Sequence, residues 1–109
     1  MWEKSHLLAL EIYRATEKFL REELYGLTGQ IRRASASIPA NIAEGCGKDG
    51  DADFGRFLQI ARGSASELEY HLLLAKDLGF LKQNDYDQLH KEANEVKQML
   101  TNFIKKLKA

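Results

Sequence analysis

The 109-residue chain contains one cysteine and one proline. A single thiol, Cys46, closes no disulfide within the chain and cannot furnish a four-cysteine zinc site, a usage that fits a reducing compartment. One proline, Pro39, is what a protein of long helices tolerates; a turn-rich β sandwich normally carries more. An excess of charge of either sign is missing too, since 16 Lys and Arg offset 16 Asp and Glu. Overall charge therefore gives no bias toward or away from nucleic acid. No apolar run reaches the roughly 18 to 20 residues that span a bilayer, and Met1-Trp2-Glu3-Lys4-Ser5-His6 lacks the pattern of a secretory leader. These absences point to a cytoplasmic protein with no membrane partner. What remains is 44% hydrophobic and 29% charged, the balance of a globular chain. No shift in composition divides it, so residues 1–109 read as a single domain.

Four stretches carry helical periodicity and together predict an all-α, antiparallel, up-down-up-down four-helix bundle. The first runs from about Ser5 to Arg21, with Ser5 as N-cap and Leu8, Ile12, Ala15 and Phe19 on one face. The second, about Leu24 to Gly45, repeats that step with Leu27, Ile31, Ala34 and Ile38, and Pro39 removes one backbone donor within it. The third begins at Asp51 or Asp53, either a candidate N-cap, and ends at Leu78 before the stop signal Gly79. Its seam is Phe54, Phe57, Ala61, Ala65, Leu68, Leu72 and Ala75. The fourth follows an Asn84 N-cap and keeps a 3-4 rhythm through Tyr86, Leu89, Ala93, Val96, Leu100, Phe103 and Leu107.

A hairpin centred near Asp49 sets Ala34-Ser35-Ala36-Ser37 level with Ala61-Arg62-Gly63-Ser64. Small side chains at one height predict close helix axes, with Gly63 in a contact that a leucine would overpack. Arg33, Arg62 and Glu67 share that height as a candidate charge-paired layer, and a plain packing contact is the competing reading.

Motifs for catalysis or cofactors do not survive their context. Gly45-Cys46-Gly47-Lys48-Asp49-Gly50 spells G-x-G-x-x-G, yet a helical segment precedes it where the dinucleotide fingerprint needs a strand. Asp87-Gln88-Leu89-His90 has the spacing of a di-iron ligand pair but lies outside the seam, and Glu67 with His71 supplies only two ligands. No base is placed near Cys46. The sequence predicts a non-enzymatic protein with no catalytic residue, no metal and no cofactor. Tyr13, Tyr25, Tyr70 and Tyr86 read as packing residues at bundle edges before they read as base-stacking platforms.

Two polar features stand out. On the second helix Gln30, Arg33, Ser37, Asn41 and Glu44 recur at steps of three and four, beside the apolar stripe. A solvated face, an intrachain network that includes Glu67, and a subunit or ligand surface all fit that stripe. Between Val96 and Lys108, Lys97, Lys105, Lys106 and Lys108 occur with no acid, and Arg32-Arg33 adds a basic pair on the second helix. Lysines there complement the negative end of a helix dipole and would equally meet phosphate.

Tyr25-Gly26-Leu27-Thr28, Gln30-Ile31-Arg32-Arg33-Ala34 and Ser37-Ile38-Pro39-Ala40-Asn41-Ile42-Ala43-Glu44-Gly45 occur on the second helix. Phe57-Leu58, Ile60-Ala61-Arg62-Gly63-Ser64 and Glu67-Leu68 occur on the third. Over nearly the whole chain this pattern resembles the four-helix-bundle proteins first noticed as reading frames within intervening sequences of 23S ribosomal RNA genes. The resemblance implies a ring-like homopentamer with no established enzymatic activity. It also implies kinship with the accessory variability protein of diversity-generating retroelements, a pentamer that binds a reverse transcriptase and nucleic acid. Those accessory proteins tend to be strongly basic, and this chain is neutral.

Two functions follow as expectations. In the first, the protein is an oligomeric RNA-associated module, alone or with a nucleic-acid-processing protein, and Arg32, Arg33, Arg62, Lys105, Lys106 and Lys108 contact phosphates. In the second, it is a protein-binding scaffold without nucleic acid, and the polar stripe of the second helix makes the contacts.

Overall fold

The computed structural model describes residues 1–108, in which four helices and no strands form an all-α bundle. α1 spans Trp2–Thr16, α2 Leu27–Cys46, α3 Asp51–Asp77 and α4 Gln83–Lys108, with a short 3₁₀ turn at Arg21–Glu23 between the first two.

Both ends of α1 differ from the periodic reading. Ser5 lies inside the helix, buried, and its hydroxyl donates to the Trp2 carbonyl at 2.7 Å, so it caps nothing. At the other end the helix stops at Thr16, although Phe19 keeps the apolar spacing. The chain instead folds through the 3₁₀ turn and enters α2 at Leu27, with Gly26 as N-cap. One of the free N–H groups of that first turn, on Leu27, donates to the Glu23 carboxylate at 3.2 Å.

Asp51 and Asp53 sit within the first turn of α3, where they complement its dipole, and Gly50 is the N-cap. The far end follows the sequence signal. Gly79 takes φ +85°, the Gly79 N–H donates to the Lys76 carbonyl at 3.0 Å, and the Phe80 N–H donates to the Ala75 carbonyl at 2.9 Å. That bond pair is the Schellman arrangement, which satisfies two carbonyls of the last turn and needs a residue free of a Cβ penalty. α4 starts at Gln83, one residue ahead of the expected Asn84 cap, and its first helical bond runs from the Tyr86 N–H to the Lys82 carbonyl at 2.9 Å.

Consecutive helices lie side by side, with α2 against α3 the most extensive pairing and α1 against α4 the sparsest. The core is a column of Leu8, Ile12, Ile31, Ile38, Ile42, Leu58, Leu68, Leu72, Val96 and Leu100. Two seam positions differ from the rhythm. Leu58 is fully buried while Phe54 and Phe57 are partly exposed, and in the last heptad Ile104 is buried at 3% exposure while Phe103 stays 36% exposed. Phe103 instead packs edge-on to Phe54, with centroids 5.6 Å apart.

α2 and α3 do meet at the expected height, where the Ser37 and Ser64 hydroxyls touch, but Gly63 takes no part in that contact. A Cβ on Gly63 would meet nothing within 4 Å, so this glycine faces open space and the overpacking expected there is corrected. Gly45 is the tight position, since a Cβ there would lie 2.9 Å from Phe57 Cβ and 3.0 Å from Phe54 Cδ1. At the hairpin end of α2 the absent side chain of Gly45 lets Phe54 and Phe57 of α3 pack against its backbone.

Candidate functional site

The two neighbouring arginines of α2 do different things. Arg32 turns toward α1, where its Nε donates to Thr16 Oγ1 at 2.8 Å and an Nη donates to the Tyr13 carbonyl at 3.3 Å. Its guanidinium also lies over the Tyr13 ring, 4.8 Å from the centroid. The charge thus meets a carbonyl in the last turn of α1, where the helix dipole is negative. Arg33 is exposed and folds back toward Gly29.

Arg62 sits apart from both. It occupies the edge of α3 that also carries Glu69, seven residues on, and Glu69 ion-pairs with Lys97 of α4 and lies 3.5 Å from His90 Nε2. Among the described residues Arg33, Arg62 and Glu67 make no ion pair with one another, which corrects the charge-paired layer. The shared height is real, but the side chains leave α2 and α3 in different directions.

Within the polar stripe of α2 the structure separates a network from a surface. Ser37 Oγ lies 2.9 Å from Ser64 Oγ across the α2–α3 seam. Asn41 Nδ2 donates to the Ser37 carbonyl at 2.8 Å and to Ser37 Oγ at 2.9 Å. Gln30, Arg33 and Glu44 are exposed on the same side, and Glu67 is exposed on α3.

Lys105, Lys106 and Lys108 are exposed in the last turn of α4. Lys97, counted with them in sequence, is instead held by Glu69. Asp51 and Asp53 open α3 at the same end of the bundle, where Asp51 and Lys108 line one groove. The basic residues are therefore distributed over four places: Arg32 against the end of α1, Arg33 on the outer side of α2, Arg62 on the α4 edge of α3, and the lysines at one end.

The tyrosines also divide. Tyr13 lies beneath Arg32, and Tyr86 is half-buried with Lys76 Nζ 4.7 Å from its ring centroid. Tyr25 is 91% exposed and Tyr70 59% exposed, so neither is a packing residue of this chain. Among the described residues no three His, Cys, Asp or Glu side chains gather to hold a metal ion.

One surface escaped the sequence reading. Trp2, His6, Ala9, Leu10 and Tyr13 of α1 and Ala36, Pro39, Ala40 and Ala43 of α2 line an open groove of about 470 Å³. Its floor is alanine and proline, and its wall carries Trp2 stacked on His6 with centroids 5.1 Å apart. The signal was present: beyond the core stripe, each helix carries a second apolar stripe, at 2, 9, 10 and 13 on α1, with His6 among them, and at 36, 39, 40 and 43 on α2.

The family model described as 23S rRNA-intervening sequence protein matches residues 1–102. The chain belongs to that family. A crystal structure of a protein of unknown function from the S23 ribosomal protein family of Bacteroides thetaiotaomicron VPI-5482 superposes with a TM-score of 0.89 at 30% identity. The match covers 95% of this chain and 97% of that one, so the whole bundle is shared. No curated protein matches. As a 23S rRNA-intervening sequence protein the chain has a family and a fold, and no helix in its described residues is long and apolar enough to cross a membrane.

Proposed function

We propose that the chain is a non-catalytic cytoplasmic module that works as an assembly of several copies, with the α1–α2 groove as the contact between subunits. The observation that carries this reading is the apolar lining of that groove, about 470 Å³ in volume, with Trp2 44%, Leu10 38% and Tyr13 43% exposed. A contiguous apolar surface of this kind, floored by small residues, suits a helix from another subunit. The ring of five implied by the family resemblance is the assembly expected, with Gln30, Arg33 and Glu44 at the rim of the contact.

Light scattering on the purified chain tests it. A mass near five chains supports the reading, and Ala40→Glu, which puts a charge on the groove floor, should lower that mass without unfolding the bundle. A strictly monomeric chain removes it.

RNA association is the second reading, favoured by the exposed Lys105, Lys106 and Lys108, which make no ion pair among the described residues. Its test is a titration with a structured RNA and a matched DNA duplex at about 50 mM and about 200 mM salt, where phosphate contacts weaken steeply. Binding that falls with salt and vanishes when the three lysines become glutamines supports it. Absence of binding at low salt leaves the assembly as a protein scaffold.

A further inference from the structure

The outer side of α3 carries large apolar side chains that its own bundle leaves uncovered. Ile60 is 47% exposed and Tyr70 59% exposed, while Leu58, Ala61, Ala65, Leu68 and Leu72 supply the core from the opposite side of the helix. Ile60, Gly63, Glu67, Tyr70 and Leu74 recur at steps of three, four, three and four, so they form one ridge along α3. The first four are exposed and Leu74 is half-buried. In the middle of this ridge stands a single charge, Glu67, and among the described residues it makes no ion pair. Arg33, exposed on the rim of the α1–α2 groove, makes none either.

The ridge and the groove carry their features at matching distances. At the helical rise of 1.5 Å per residue, Glu67 lies about 10 Å beyond Ile60 and Tyr70 about 15 Å beyond it. On α2, counted back from Ala40 on the groove floor, Arg33 lies about 10 Å away and Thr28 about 18 Å. Thr28 borders a second gap between α1 and α2, of about 390 Å³, whose walls include Leu20 and Leu24. A ridge laid antiparallel to α2 with Ile60 on Ala40 therefore sets Glu67 against Arg33 and brings the Tyr70 ring to that gap.

We propose that the α3 ridge of one subunit, Ile60 to Tyr70, fills the α1–α2 groove of the next. The inference rests on the groove being the contact between subunits, and it names the occupant as a different surface of a second copy. Opposite charges select the register, and the apolar residues on either side of them supply the buried area.

The contact between Ser37 and Ser64 gives the same register from inside the chain. It makes Ile60 level with Asn41 and Glu67 level with Ala34 of their own subunit. The docked partners, Ala40 and Arg33, are each one residue away, a difference of about 1.5 Å. Two subunits with parallel bundles thus meet at one height. Head-to-tail contacts that turn without rising close into a ring, whereas contacts that rise build a filament.

Light scattering on variants of the full chain tests the ridge, with circular dichroism to show that each remains helical. Tyr70→Asp alters an exposed position and should reduce the assembly to single chains, as Ala40→Glu does from the groove side. Glu67→Arg sets two arginines face to face and should lower the mass, and adding Arg33→Glu should restore it. An assembly that keeps its mass in Tyr70→Asp but loses it in Ala40→Glu retains the groove as the contact and overturns the ridge as its occupant. A double charge reversal that fails to regain the mass lost in Glu67→Arg also overturns the proposal. An unaltered chain that is monomeric overturns both the ridge and the groove.

Discussion

The Ser37 and Ser64 hydroxyls lie 2.9 Å apart and mark the height at which α2 meets α3. Asn41 donates to the same Ser37 oxygen, so one hydroxyl serves both the cross-helix bond and a bond one turn along its own helix. Replacing Ser64 with alanine removes the cross-helix partner and leaves Asn41 in place. The expected loss is about 1 kcal/mol in urea unfolding, with the helical circular dichroism unchanged.

Arg32 is a structural cation. Arg32→Met keeps the aliphatic stem and removes the bonds to Thr16 and Tyr13, and should cost about 1 to 2 kcal/mol. Hydrogen exchange should locate the loss in the last turn of α1. In an RNA titration the same variant should behave as the unaltered chain, in contrast to replacement of Lys105, Lys106 and Lys108.

The glycines of the α2–α3 pair should respond with opposite signs. Gly63→Ala meets open space and should stabilise the helix by about 0.5 to 1 kcal/mol through propensity alone. Gly45→Ala drives a methyl into Phe57 and Phe54 and should destabilise by about 1 to 3 kcal/mol. Thermal melts of the two variants bracket the unaltered chain if the close approach lies at Gly45.

Ile104 and Phe103 separate the two readings of the last turn of the seam. Ile104→Ala opens a cavity in the core and should cost about 2 to 4 kcal/mol. Phe103→Ala loses chiefly the edge contact with Phe54, for about 1 kcal/mol. Equal losses would mean that the phenylalanine shares the core position.

The sequence carried the helices where their apolar steps were unambiguous. Ile31, Ile38, Leu68, Leu72, Val96 and Leu100 are all fully buried at the spacing that predicted them. It failed where two adjacent apolar residues compete for one step, as at Phe57-Leu58 and Phe103-Ile104, since a rhythm of three or four accepts either. The end of α1 was hidden for a different reason. No glycine or proline lies between Thr16 and Tyr25, and the end of the helix is met by long-range bonds from Arg32 that no local signal encodes. The apolar groove was overlooked because alanine at 36, 40 and 43 reads as helix propensity before it reads as surface.

The sparse α1–α4 seam also orders the assembly of the chain in time. Arg32 reaches Thr16 across 16 residues, Ser37 reaches Ser64 across 27, and Lys97 reaches Glu69 across 28, whereas Lys4 and Glu95 are 91 apart. Closing the short hairpins costs less chain entropy, so α2–α3 and its neighbours form the nucleus and the first helix docks on the last helix after the barrier. Substitutions along Ser37, Ser64 and Leu68 should then slow refolding, while those at Lys4 and Glu95 leave refolding untouched and speed unfolding. The last seam to close is the first to part.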